Sequence, residues 1–105
     1  MRNAITENHT SDDGRPDGGT TFGPGFAIGW QRGALGRGDD RLAQNGAFVE
    51  DVIQAALGRI KHYQDSPFEC DESAHAVKYL EMALQCLDIR TQKREAREVE
   101  GTHAV

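Results

Sequence analysis

From Phe68 to Glu100 the chain contains neither proline nor glycine, and no other feature narrows the fold as much. Within that stretch Ala76, Val77, Leu80, Ala83, Leu84 and Leu87 recur at steps that return to one helix face. The spacing predicts a helix over 72–98, about 40 Å long at 1.5 Å rise per residue. Asp71 or Ser73 is suited to cap its start. Upstream, Phe48, Val49, Val52, Ile53, Ala56, Leu57 and Ile60 form a second stripe, which predicts a helix over 47–64. Asn45-Gly46 marks its beginning, and Pro67 bars any helix from running past Ser66. Two helices joined by so short a turn make an antiparallel αα-hairpin. The second is the longer, so its last turns extend beyond what the first can cover.

The N-terminal half reads differently. Residues 22–46 hold 7 of the 12 glycines. Phe26, Ile28 and Trp30 alternate with small residues there, the period of a short strand, which needs a neighbour to be stable. Gly33, Gly36 and Gly38 then punctuate a loop. Residues 1–21 are polar, rich in Gly and Asp and without periodicity, and are expected to be a disordered tail. The expected fold is mainly α with a small β element: a tail over 1–21 and one domain over 22–105. Leu, Ile, Val and Phe together number only 20 of 105 residues, so self-association is expected to complete the core.

Charge and residue chemistry exclude several functions. With 12 Lys+Arg against 17 Asp+Glu, the net charge is −5. A general DNA-coating protein gains its affinity from many phosphate contacts, which this balance disfavours. No run approaches the length of a membrane span, the first 21 residues lack a signal peptide's apolar region, and a cytoplasmic location is expected. Cys70 and Cys86 form no CxxC pair and read as reduced thiols. His62 and His75 flank the interhelical turn without a third ligand, so no metal is expected. No nucleophile–base pair stands out, no cofactor is implied, and the chain reads as a binding protein, not an enzyme. The glycine-rich loop matches neither GxGxxG nor a Walker A sequence. Arg37 in that loop could reach a phosphate, but a flexible loop is the plainer reading.

The most informative chemistry lies at the end of the long helix. The inward positions Ala76, Leu80, Ala83 and Leu87 step by four, three and four, and the same stepping leads on to Arg90, Arg94 and Arg97. Three guanidiniums on one face repel one another unless an anion or an acidic partner lies between them. Arginine suits bidentate phosphate recognition, and a helix C-terminus favours a cation. The seam reads either as a phosphate clamp or as a solvated or ion-paired face. In the latter case the protein would be a small helical-hairpin adaptor binding an acidic protein partner. Tyr63 and Trp30 are the aromatic candidates for stacking on a base. Trp30 reads equally as the anchor of the N-terminal segment.

The segments NGAFVEDVIQAALGRIKHYQ (45–64) and FECDESAHAVKYLEMALQCLDIRTQKREAREVEGTH (68–103) resemble the hairpin domain of the phage anti-defence sponge family, the group of Thoeris anti-defence protein one and anti-CBASS protein two. The WQRGALGRGDDR segment (30–41) is similar to the lead-in of many members. The most specific part runs Arg90-Thr91-x-x-Arg94-Glu95-Ala96-Arg97, then Val99-Glu100-Gly101-Thr102-His103. The resemblance implies non-catalytic capture of cyclic nucleotide signals: glycocyclic ADP-ribose, cyclic di- or trinucleotides, or both. It implies pockets between subunits of homo-oligomers, from dimer to hexamer. Arg90 and Arg94 match positions that hold ligand phosphate, and Tyr63 one that stacks on the base. Ser73 falls where many members carry Asn, and Glu98 where glycine is common, so an altered ligand preference is implied.

Overall fold

The computed structural model describes residues 3–36 and 38–97. Arg37, Glu98 and the Val99–His103 part of the resemblance lie outside the described residues. The chain divides between Phe48 and Val49 into two compact units. The first carries three strands, β1 (Ile5–Thr10), β2 (Pro16–Gly23) and β3 (Phe26–Trp30), and the second two helices, α1 (Val49–Gln64) and α2 (Asp71–Ala96). The fold is thus mixed α/β, a three-stranded antiparallel sheet followed by two helices, with the strands in the order β1-β2-β3.

The strands β1 and β2 occupy the segment expected to be a disordered tail, and that expectation is corrected. Their side chains are largely Thr, Glu, Asn, His, Asp and Gly, so no apolar alternation advertises them. Their turns supply the order instead. In Ser11–Arg15 the Ser11 N–H donates to Arg15 O at 2.8 Å and the Gly14 N–H to Ser11 O at 2.9 Å, with Gly14 at φ +84°. The Ser11 hydroxyl donates to Asp13 Oδ1, and Arg15 Nε lies 3.4 Å from Asp13 Oδ2. That hydroxyl bond chiefly, then the Arg15 N–H and guanidinium, holds the Asp13 carboxyl below its usual range. Between β2 and β3, Pro24-Gly25 with Gly25 at φ +86° closes a tight turn of type II pattern.

Register places Thr6, Thr21 and Ile28 side by side on one face of the sheet. Thr6 and Thr21 share a hydroxyl hydrogen bond at 3.1 Å, and the Trp30 indole N–H donates to Thr21 Oγ1 at 2.8 Å. A bulge interrupts β1–β2 between the pairs Asn8↔Gly19 and Thr10↔Pro16. At Gly19, φ is +136° and a Cβ would strike Glu7 O, so only glycine fits. Past β3, Trp30 forms an isolated parallel bridge with Ala47, through Ala47 N–H to Gly29 O at 2.7 Å and Gln31 N–H to Ala47 O at 3.0 Å. Gln31 and Asn45 close the intervening loop. The Arg32 N–H donates to Asn45 Oδ1 at 2.8 Å, and the Asn45 and Gly46 N–H groups both donate to Gln31 Oε1. Inside the loop Leu35 is buried and its carbonyl accepts from the Leu42 N–H at 2.6 Å.

The helical unit follows the apolar stripes. Leu57, at 3% exposure, is the most buried side chain of α1, flanked by half-buried Ile53, Ile60 and Gln64. On α2 the half-buried positions are Ser73, Ala76, Val77, Leu80, Ala83, Leu84, Leu87, Thr91 and Arg94. Lys61 Nζ lies 3.7 Å from Glu81 Oε2, between the helices. The cap of α2 is Cys70, not the expected Asp71 or Ser73: its extended backbone turns Sγ toward the Ser73 N–H at 3.4 Å. The helices have 16 and 26 residues, so α2 is longer by ten, about 15 Å.

Candidate functional site

The interhelical turn gathers one set of candidates. Tyr63 stands in the last turn of α1, 39% exposed. The Arg59 guanidinium lies over its ring, 4.9 Å from the centroid, and Arg59 Nε–H donates to the phenol oxygen at 3.1 Å. The ring is therefore held in one pose with one face under a cation. Beyond it, the Gln64 amide spans the turn: its Oε1 accepts from the Cys70 N–H at 3.1 Å and its Nε2–H donates to Cys70 O at 3.2 Å. Cys70 Sγ in turn lies 3.2 Å from the Ser73 hydroxyl. Ser66 fixes the turn itself, donating from Oγ to Tyr63 O at 2.5 Å and accepting from the Phe68 N–H at 3.1 Å. Tyr63 and Ser73 thus share one end of the hairpin, linked through Gln64 and Cys70.

Arg90, Arg94 and Arg97 belong to the other end of α2. From Ser73 to Arg90 is about 26 Å along the helix, and to Arg94 about 32 Å. The half-buried stripe passes from Leu87 to Thr91 and then Arg94, while Arg90 and Arg97 are exposed. Thr91 bonds back to Leu87 O at 3.2 Å. The arginines therefore flank the stripe on its outer side, with Arg94 alone upon it. Lys93 and Arg94 occupy the last turn of α2, where the carbonyl end of the helix favours positive charge.

Trp30 belongs to the sheet unit, half-buried, its N–H committed to Thr21. Among the described residues, no group of three or more His, Cys, Asp or Glu could hold a metal ion. No helix among them is long and apolar enough to cross a membrane. Two contributors escaped the reading of the sequence. Arg59 is legible in retrospect from its four-residue spacing to Tyr63, which places the pair on one helix face. Gln64 carries no such signal, since its role depends on how the turn closes.

Over 59 residues, 56% of this chain, the sequence is 48% identical to Thoeris anti-defense 1 of Bacillus phage SBSphiJ7. Over that stretch the chain is similar to a phage anti-defence protein. The resemblance to the phage anti-defence family, read over roughly residues 26–103, is borne out by that identity. The matched stretch spans 42% of the phage protein's length, so the chain covers about two fifths of the curated relative it matches. No family model matches the chain.

Proposed function

We propose that this protein binds a cyclic nucleotide messenger of bacterial antiphage signalling and sequesters it without cleaving it. The observation that carries the reading is the 48% identity to a protein named for countering Thoeris. Glycocyclic ADP-ribose and the cyclic di- and trinucleotides of CBASS share one chemistry, a base beside a phosphate-bearing ring. The candidate residues suit both parts. Tyr63, already held by Arg59, offers a base a ring in a fixed pose, and Ser73 a polar contact beside it. Arg90, Arg94 and Arg97 offer phosphates three guanidiniums within two helical turns.

Tyr63 and the arginines stand too far apart along one hairpin to grip one small ligand. In this reading the site forms between copies, with the ring of one chain and the guanidiniums of another. Sequestration then works by mass action, since stoichiometric tight binding lowers the free messenger below what its effector needs. Phage proteins of this kind would act in the cytoplasm of the infected cell. The test incubates glycocyclic ADP-ribose or a cyclic dinucleotide with the protein, denatures the mixture and analyses the released nucleotide. Intact nucleotide, held until denaturation, is the expected result. Cleaved nucleotide would make the protein an enzyme, and no retained nucleotide would favour the adaptor reading.

A further inference from the structure

Tyr63 and Ser73, at one end of the hairpin, each carry a hydroxyl, and a neighbouring donor occupies each hydroxyl oxygen. The Arg59 Nε–H donates to the Tyr63 phenol oxygen at 3.1 Å. The Cys70 thiol, whose sulfur accepts from the Ser73 N–H, donates to Ser73 Oγ at 3.2 Å. A hydroxyl that accepts a hydrogen bond becomes a stronger donor and a poorer acceptor, and a charged donor drives this furthest. Tyr63, with a guanidinium on its oxygen, therefore has an activated O–H to give.

Geometry limits what that O–H can reach. The Arg59 guanidinium lies over one face of the ring, 4.9 Å from the centroid, which leaves a base the opposite face. A phenol O–H lies in the plane of its own ring, and a base stacked on the ring lies above that plane. The O–H thus misses the base and meets the group that hangs from its edge, the sugar. Charge then separates sugar from phosphate. Asp65, Glu69, Asp71 and Glu72, all exposed, stand in the interhelical turn and the first turn of α2. Such a setting repels a phosphate and accommodates a neutral hydroxyl. The phosphates belong with the arginines at the far end of α2.

We propose that the Tyr63 phenol donates to a ribose hydroxyl of the nucleotide whose base stacks on its ring, so that the site selects ribonucleotides over their deoxy counterparts. This rests on the ligand reading above and adds to it the part of the ligand that Tyr63 selects. Arg59 is a positioning residue in this arrangement: it acts through the phenol, by fixing the ring and polarising its O–H. Ser73, held by Cys70, offers a second donor at the same end of the hairpin. A phenylalanine in place of Tyr63 would stack as well and leave the sugar unread.

Calorimetry on the full chain tests this with glycocyclic ADP-ribose, cyclic di-AMP and cyclic di-GMP. Each is compared with its analogue lacking the free hydroxyl on the purine-bearing ribose. The wild type should bind the hydroxylated form about three- to tenfold more tightly, the weight of one hydrogen bond. Tyr63→Phe keeps the stacking ring and should lose most of that preference, by weakening the hydroxylated form alone. Arg59→Met should lower the preference part-way, and the double variant should fall no further than Tyr63→Phe. A preference that survives Tyr63→Phe overturns the proposal. A wild type that binds a messenger but ignores the hydroxyl overturns the proposal and leaves the ligand reading standing. A wild type that binds none of the three overturns the ligand reading, and the proposal falls with it.

Discussion

Asp13 illustrates how far one side chain can organise a turn. Its carboxylate accepts from Ser11 Oγ and faces the Arg15 guanidinium, and its proton affinity falls accordingly. Because the folded value is depressed, the charged carboxylate stabilises the turn above the unfolded pKa, and that contribution is lost as pH falls through the folded one. A carboxyl-detected NMR titration should place Asp13 below the usual aspartate range, and Ser11→Ala should move it back up. At Tyr63 the expectation concerns binding. Tyr63→Ala should weaken messenger affinity by about 1–3 kcal/mol, the worth of a stacked base, in calorimetry. Arg59→Ala, which frees the ring without removing it, should cost less. An equal loss would mean that Arg59 itself contacts the ligand.

At the scale of the element, the helices and β3 were legible and the first two strands were not. Leu57 and Leu80 lie on stripes whose period announces a helix, and Phe26, Ile28 and Trp30 alternate as a strand does. Nothing of that kind marks Thr6, Glu7 and Asn8, which are held by hydrogen bonds to β2 and by the turn chemistry of Ser11–Arg15. Apolar pattern reports burial, and a sheet this exposed has little to report. The arginine seam shows a subtler limit. After Leu87 the helical period permits a step of three, to Arg90, or of four, to Thr91, and in the structure it is Thr91 that is half-buried and Arg90 that is exposed. Leu57→Ala should destabilise the hairpin by about 2–5 kcal/mol, as for other buried leucines, in urea unfolding followed by helix dichroism. Gly19→Ala should disrupt β1–β2 pairing, at a cost of about 1–3 kcal/mol from its positive φ before the clash with Glu7 is counted. Loss of the Thr6–Thr21 cross-strand contacts in NMR would register it.

At the scale of the whole molecule, a site split between copies makes a distinctive prediction. Neither Tyr63→Ala nor the double variant Arg90→Ala, Arg94→Ala should bind messenger well alone. Mixed and reassociated in equal amounts as dimers, half of the assemblies should contain one chain of each kind. Each such assembly has one site with both defects and one with none, so about a quarter of the wild-type capacity should return, measured as nucleotide bound per chain. No recovery would place the ring and the arginines in the same copy or in unrelated sites. The few large apolar residues noted in the sequence fit this picture, for much of what a single chain offers is surface: Tyr79, Met82 and Ile89 on the helix, Ile5 and Phe26 on the sheet.

The amide clasp of Gln31 and Asn45 has an evolutionary corollary. Because both feet of that loop are tied to each other, and Leu35 to Leu42 within it, residues can be added at its tip without disturbing strand alignment. The tip is where diversification between lineages, or a laboratory-grafted reporter peptide, would meet the least resistance.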